Sequence, residues 1–175
     1  MQVIIDAYEA IRDFLELGGP VLRAIAVVIL LMWILILERL IYFRTGLSAL
    51  IKDAFAEWEG RRERKSWHAH QIREAIISRV RMSAHQGLPM IQTFVALCPL
   101  LGLLGTVTGM IRVFQVMAVT GSGNARSMAE GVSMATVPTM AGMVGMLSGV
   151  FLVTILNRSV KRRIGLLEDE LTMDH

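Results

Sequence analysis

Apolar residues in this sequence are gathered into long runs, and between the runs they recur at helical spacing among polar neighbours. Three runs are long enough to cross a bilayer: about Val21 to Phe43, about Ile91 to Val119 and about Met128 to Leu156. The first has an unbroken apolar core from Ala24 to Leu37. The second is uncharged from Thr93 to Ile111, a stretch that as a helix spans roughly 28 Å, close to the thickness of a bilayer core. The third lacks Asp, Glu, Lys and Arg from Gly131 to Asn157. Backbone groups at that depth must be paired within their own segment, and nothing alternates like a barrel strand, so each run is predicted to be a helix. The expected fold is an all-α membrane protein with three transmembrane helices and long cytoplasmic extensions.

The flanking segments follow the same logic. In residues 1–20, Val3, Ile4, Ala7, Ile11, Phe14 and Leu15 share one face and Asp6, Glu9, Arg12, Asp13 and Glu16 the other, before Gly18-Gly19-Pro20. This is an amphipathic helix expected to lie along the outer membrane surface. Its acidic start does not suit a cleaved signal peptide, so it is expected to stay on the mature protein. Residues 44–90 are polar but helix-favouring, with Leu47, Leu50, Ile51, Ala54, Phe55 and Trp58 as one apolar stripe and Ile72, Ile76, Ile77 and Val80 as a second. A break is expected at Gly60-Arg61-Arg62. The segment is too short for an enzymatic domain with its own core and reads as a cytoplasmic helical bundle. Residues 120–127, around Gly121-Ser122-Gly123-Asn124, are the expected outer loop, and 158–175 the cytoplasmic tail.

The chain is 54% hydrophobic, too apolar for an ordinary soluble domain, and its net charge of +3 matters through its distribution. Nine Lys or Arg lie between Arg44 and Met90 and four more after Leu156, whereas the opposite side holds only Arg12, Arg23 and Arg126, with Arg39 and Arg112 near span ends. The positive-inside rule then places the middle segment and the C-terminus in the cytoplasm and the N-terminus outside. The basic excess is a topology signal and gives no reason to expect a nucleic acid partner.

Chemistry enters through small and hydroxylated residues. Gly102, Gly105 and Gly109 fall on one stripe of the second span with Thr106 on its flank, and Gly142, Gly145 and Gly149 repeat that spacing in the third. The pattern predicts close packing between these two helices. Ser133, Thr136 and Thr139 follow one another at three-residue spacing. Pro138 removes a backbone donor beside them, and with Pro99 it is a candidate kink. Thr106, Thr136, Thr139 and Ser133 can hold water or hydrogen-bond a carboxylate along a wet path, but cannot exchange a proton near neutral pH. The alternative of equal weight is that they only bond to helix carbonyls. No Asp, Glu or His lies inside the spans away from their ends, so a proton path through this protein needs a titrating acid from another chain. Glu38-Arg39 is an opposite-charge pair at the inner interface, read as a structural pairing within or between subunits.

Other signals are weak. Cys98 is the only cysteine and reads as packing. His68 and His70 point to different helix faces and suit a metal poorly. The loop glycines lack the Lys-Ser/Thr of a nucleotide loop. The methionines of the spans have no Cys or His beside them for copper. No carboxylate pair, Ser/His/Asp set or metal-protease motif is present, so the chain is not expected to be an enzyme, nor to use a cofactor or metal.

Pro99-Leu100-Leu101-Gly102-Leu103-Leu104-Gly105-Thr106-Val107-Thr108-Gly109-Met110-Ile111 resembles the second-span signature of the MotA/TolQ/ExbB proton-channel family. Met128 to Ser133 and Thr139 to Met143 resemble its third-span signature, and Glu38-Arg39-Leu40 its first-span exit. The likeness covers about Val21 to Lys161 and is strongest to the short ExbB branch of TonB systems that work with TtpC. The resemblance implies a homo-oligomer, a pentamer, whose second and third helices line a pore around the helices of two ExbD chains. An ExbD aspartate would carry the proton, and proton flow would energise TonB for uptake of iron chelates across the outer membrane. By motif position Thr106 and Thr139 match the family's pore-facing threonines. Met134 stands at a partner contact where many members carry glutamate, and Val137-Pro138 replaces the usual small and apolar residues. Alternatives are a TolQ-like role in envelope integrity and a scaffold without an ion path. A MotA-type stator would bring a fourth span.

Overall fold

The structure, a computed structural model, describes residues 2–60, 67–121 and 125–170. It is helical throughout: α1 (Gln2–Leu17), α2 (Gly19–Arg44), α3 (Gly46–Glu59), α4 (Trp67–His85), α5 (Leu88–Thr120) and α6 (Ala125–Glu170), with no strand among the described residues. Three stretches, Gly19–Glu59, Trp67–Val119 and Met128–Asp169, are long and apolar enough to cross a membrane. Arg61 and Arg62 of the expected break, and Ser122, Gly123 and Asn124 of the expected outer loop, lie outside the described residues. Helix α6 passes Leu156 and runs on to Glu170, so much of the stretch read as a tail is helix.

Two glycines set the helix junctions. Gly19 takes φ +64° and Gly87 φ +81°, the left-handed region open to glycine. Each is followed by a proline in the first turn of the next helix, Pro20 in α2 and Pro89 in α5, where a missing N–H costs nothing. Between α2 and α3 only Thr45 intervenes, and its hydroxyl donates back to the Ile41 carbonyl at 3.0 Å.

The chain divides into two compact units. Residues 34–92 and 151–175 form one of them. Its core is built from Leu47, Ala54 and Trp58 of α3, Ala69, Ile76, Ile77, Val80 and Ala84 of α4, and Val153, Leu156, Val160, Ile164 and Leu167 of α6, all buried. The α6 positions recur every three or four residues, so a single stripe of that helix supplies them. Polar ties close the unit. Arg163 donates from Nη1 to the Phe43 carbonyl at 3.0 Å and to Ser48 Oγ at 3.1 Å. Phe43 lies in the last turn of α2, where carbonyls lack helical partners and a cation is favoured. Arg73 donates to the Glu168 carbonyl at 2.7 Å, and Arg81 pairs with the Glu168 carboxylate.

Residues 1–33 and 93–150 form the other unit, built from α1, the start of α2, most of α5 and the first half of α6. On α1, Ile5, Ile11 and Phe14 are exposed. Only 22% to 28% of the most apolar window of each spanning stretch is buried, so most of that surface is left for lipid or further protein.

Candidate functional site

The seam between α5 and α6 is where the small residues gather. Gly102 faces Thr139, Gly109 faces Ala135, Gly142 faces Cys98 and Gly149 faces Val95, so positions rising along α5 meet positions falling along α6 and the helices are antiparallel. The approach is backbone to backbone. A Cβ on Gly109 would lie 2.5 Å from Ala135 Cα, and one on Gly142 2.5 Å from the Cys98 carbonyl oxygen. Gly105 receives the ring of Pro138, which is fully buried, and α6 continues as one helix through that proline. Pro99 likewise lies inside α5.

The glycines also admit α2. A Cβ on Gly145 would be 2.6 Å from Ile29 Cδ1, one on Gly149 2.7 Å from Met32 Sδ, and one on Gly105 3.4 Å from Val21 Cγ1. Three helices therefore share one glycine-lined line of contact. Sequence periodicity could not reveal the third partner, because α2 is apolar on every side and has no stripe to follow.

The hydroxyls meet carbonyls. Thr139 donates across the seam to the Gly102 carbonyl at 3.1 Å. Thr106 donates to the Leu103 carbonyl at 2.7 Å, Thr108 to those of Leu104 and Gly105 at 3.0 Å, and Thr136 to Val132 at 3.3 Å and Ser133 at 3.2 Å. In the α5 ladder the Gly102 carbonyl is also the acceptor position for the Thr106 N–H. The hydroxyls of the two threonines singled out by motif end on adjacent carbonyls of α5, those of Leu103 and Gly102. With their hydrogens engaged, the threonine oxygens keep lone pairs for a donor such as water or a protonated carboxyl. Ser133 is half-buried and contributes its carbonyl.

Away from the seam, α5 and α6 expose large apolar side chains. Leu100, Leu103, Val107, Met110 and Phe114 lie on α5, and Met140, Met143, Val144 and Leu147 on α6. At the end of the unit, Arg112 donates from Nη1 to Met134 Sδ at 3.4 Å, beside a cavity of about 280 Å³ that Thr108, Gly109 and Gln115 help to line. Met134 is therefore next to a cation, and a thioether is a weak acceptor for it. That contact was not legible in the sequence, although a lone arginine at the edge of an uncharged run was its signal. Arg39 is buried in the other unit, where its Nη2 donates to the Ser83 carbonyl at 3.1 Å, whereas Glu38 is exposed; none of the described ion pairs joins these two neighbours. His68 makes an edge contact with Trp67, ring centroids 5.4 Å apart. No group of metal-ligating side chains is found among the described residues.

Three stretches long and apolar enough to cross a membrane, with their helices packed on a glycine seam, are the build of a multi-pass membrane protein. The model of the MotA/TolQ/ExbB proton channel family matches residues 42–169, well over half of the chain, and the chain belongs to that family. It is a proton-channel and transport family, not a family of enzymes. Among relatives, a Synechocystis protein described as biopolymer transport protein ExbB-like 1 is 45% identical over 62 residues, covering 34% of this chain and 24% of its own length. The ExbB-like 3 protein of the same organism is 31% identical over 83 residues, covering 46% of this chain and 40% of its own. Biopolymer transport protein exbB1 of Vibrio cholerae is 35% identical over 88 residues, covering 50% of this chain and 39% of its own. The matches thus span two fifths or less of these relatives' lengths.

Proposed function

We propose that this chain is an ExbB-type subunit of a proton-driven motor in the bacterial inner membrane, with its N-terminus in the periplasm and its C-terminus in the cytoplasm. Several copies, five by family likeness, surround the transmembrane helices of two ExbD chains. The apolar faces of α5 and α6 form the wall of that pore, and α1 lies on the outer membrane surface. The proton carrier is an ExbD carboxyl, and the motion it drives energises TonB for uptake of iron chelates.

The observation that carries the reading is that the Thr106 and Thr139 hydroxyls end on the adjacent Leu103 and Gly102 carbonyls, within a stretch from Thr93 to Ile111 that holds no Asp, Glu, His, Lys or Arg. Such a wall can accept hydrogen bonds from a protonated partner acid and cannot relay protons alone. The test is proton flux into liposomes holding this chain with and without its ExbD. Flux is expected only with both, and flux from this chain alone overturns the proposal. In cells, Thr106→Val at wild-type protein level is expected to abolish iron-chelate uptake.

A further inference from the structure

Arg39 is the one charged side chain among the described buried residues, 9% exposed, and its surroundings leave it short of partners. Nη2 donates to the Ser83 carbonyl in the last turn of α4, a position where a cation is favoured. The guanidinium carbon sits 4.9 Å from the Tyr42 ring centroid and 5.8 Å from that of Phe43. Nε is buried and makes no hydrogen bond. A guanidinium offers five N–H donors in a fork suited to phosphate, and an under-satisfied one in a buried setting is costly.

The space beside it has a definite character. A cavity of about 330 Å³ is lined by Glu38, Arg39, Tyr42, Gln86 and Gly87, with Leu35 and Ile91 as its apolar part. Leu35 lies one turn before Arg39 in the apolar run of α2, and Ile91 one turn after Gly87 in α5, so the apolar part faces the bilayer interior and the polar part the headgroup level. Gly87 belongs to this arrangement, since a Cβ there would lie 3.2 Å from Arg39 Nε.

The polar part holds one cation and one anion. We propose that this cavity binds a phospholipid with a phosphoethanolamine headgroup, its phosphate on Arg39 and the Gln86 amide, its ammonium on Glu38, and its glycerol end against Leu35 and Ile91. A lipid of net negative charge would leave Glu38 opposed to it. A choline headgroup has no N–H to give that carboxylate. A free headgroup would leave the apolar part of the cavity empty.

The test is native mass spectrometry of the purified full chain exchanged against nanodiscs of phosphatidylethanolamine, phosphatidylglycerol or phosphatidylcholine. The expected result is at least threefold greater retention of phosphatidylethanolamine than of either other lipid, and no retention of soluble glycerophosphoethanolamine. Because Arg39→Gln can weaken the fold, the deciding variant is Glu38→Gln, at an exposed position. It is expected to reverse the order in favour of phosphatidylglycerol while leaving the melting temperature unchanged. Equal retention of the three lipids by the native chain, or an unchanged order in Glu38→Gln, overturns the proposal.

Discussion

Thr139 on α6 donates its hydroxyl hydrogen to the carbonyl of Gly102 on α5 at 3.1 Å, and Gly102 has no side chain to block the approach. A threonine and a glycine thus form one interhelical unit. Thr139→Val keeps the shape and removes the bond, with an expected loss of about 0.5–1.5 kcal/mol in stability. Thr139→Ser should retain transport and Thr139→Val should not. Thermal unfolding in detergent checks the stability loss, and uptake assays at matched protein level check transport.

The glycine seam should be intolerant of a single methyl group. Gly109→Ala places a Cβ 2.5 Å from the Ala135 backbone, which can yield only if the helices separate, and about 1–3 kcal/mol of destabilisation is expected. Gly165 on the same long helix α6 meets nothing within 4 Å, so Gly165→Ala should be neutral or stabilise by up to about 1 kcal/mol. Melting temperatures of the two variants, measured side by side, should move in opposite directions or differ by at least several degrees.

Arg112 against Met134 predicts a coupling. Met134→Glu would set a carboxylate where the thioether now lies, 3.4 Å from a guanidinium nitrogen, and should form a charge-assisted bond. In an Arg112→Gln background the same substitution loses its cation and should be clearly less stable. A double-mutant cycle is expected to return about 0.5–3 kcal/mol of favourable coupling. A value near zero would mean that the two side chains do not meet.

Arg163 holds the end of α2 through the Phe43 carbonyl and Ser48. Arg163→Gln should cost about 1.5–3 kcal/mol, the usual range for a hydrogen bond to a charged group. Hydrogen exchange should quicken first around Thr45, the one residue between α2 and α3.

How much could be read in advance depended on whether a feature is local. The spans were legible because clumped apolar residues are a property of the sequence alone, and α3 and α4 because their stripes predict a buried face: Leu47, Ala54 and Trp58, then Ile76, Ile77 and Val80, are buried. The extension of α6 to Glu170 was also written in the chain, since Val160, Ile164 and Leu167 keep helical spacing and are buried, but nearby charges masked it. Partners across space were not legible. Periodicity could not show that Thr139 would choose the Gly102 carbonyl, that Ile29 and Met32 of α2 would close on Gly145 and Gly149, or that Arg39 would turn inward while Glu38 stayed out. Each depends on where a distant helix stops.

Because Gly109 and Gly142 meet bare main chain, no rotamer change nearby can absorb a substitution there. Exposed Leu103, Val107, Met140 and Leu147 carry no such restriction. Evolution or engineering can therefore exchange side chains on the outward surface without disturbing the helix pair, but must leave the glycine line between the helices alone. Retuning this protein to a new companion is a matter of replacing leucines and methionines, with the glycines as fixed coordinates.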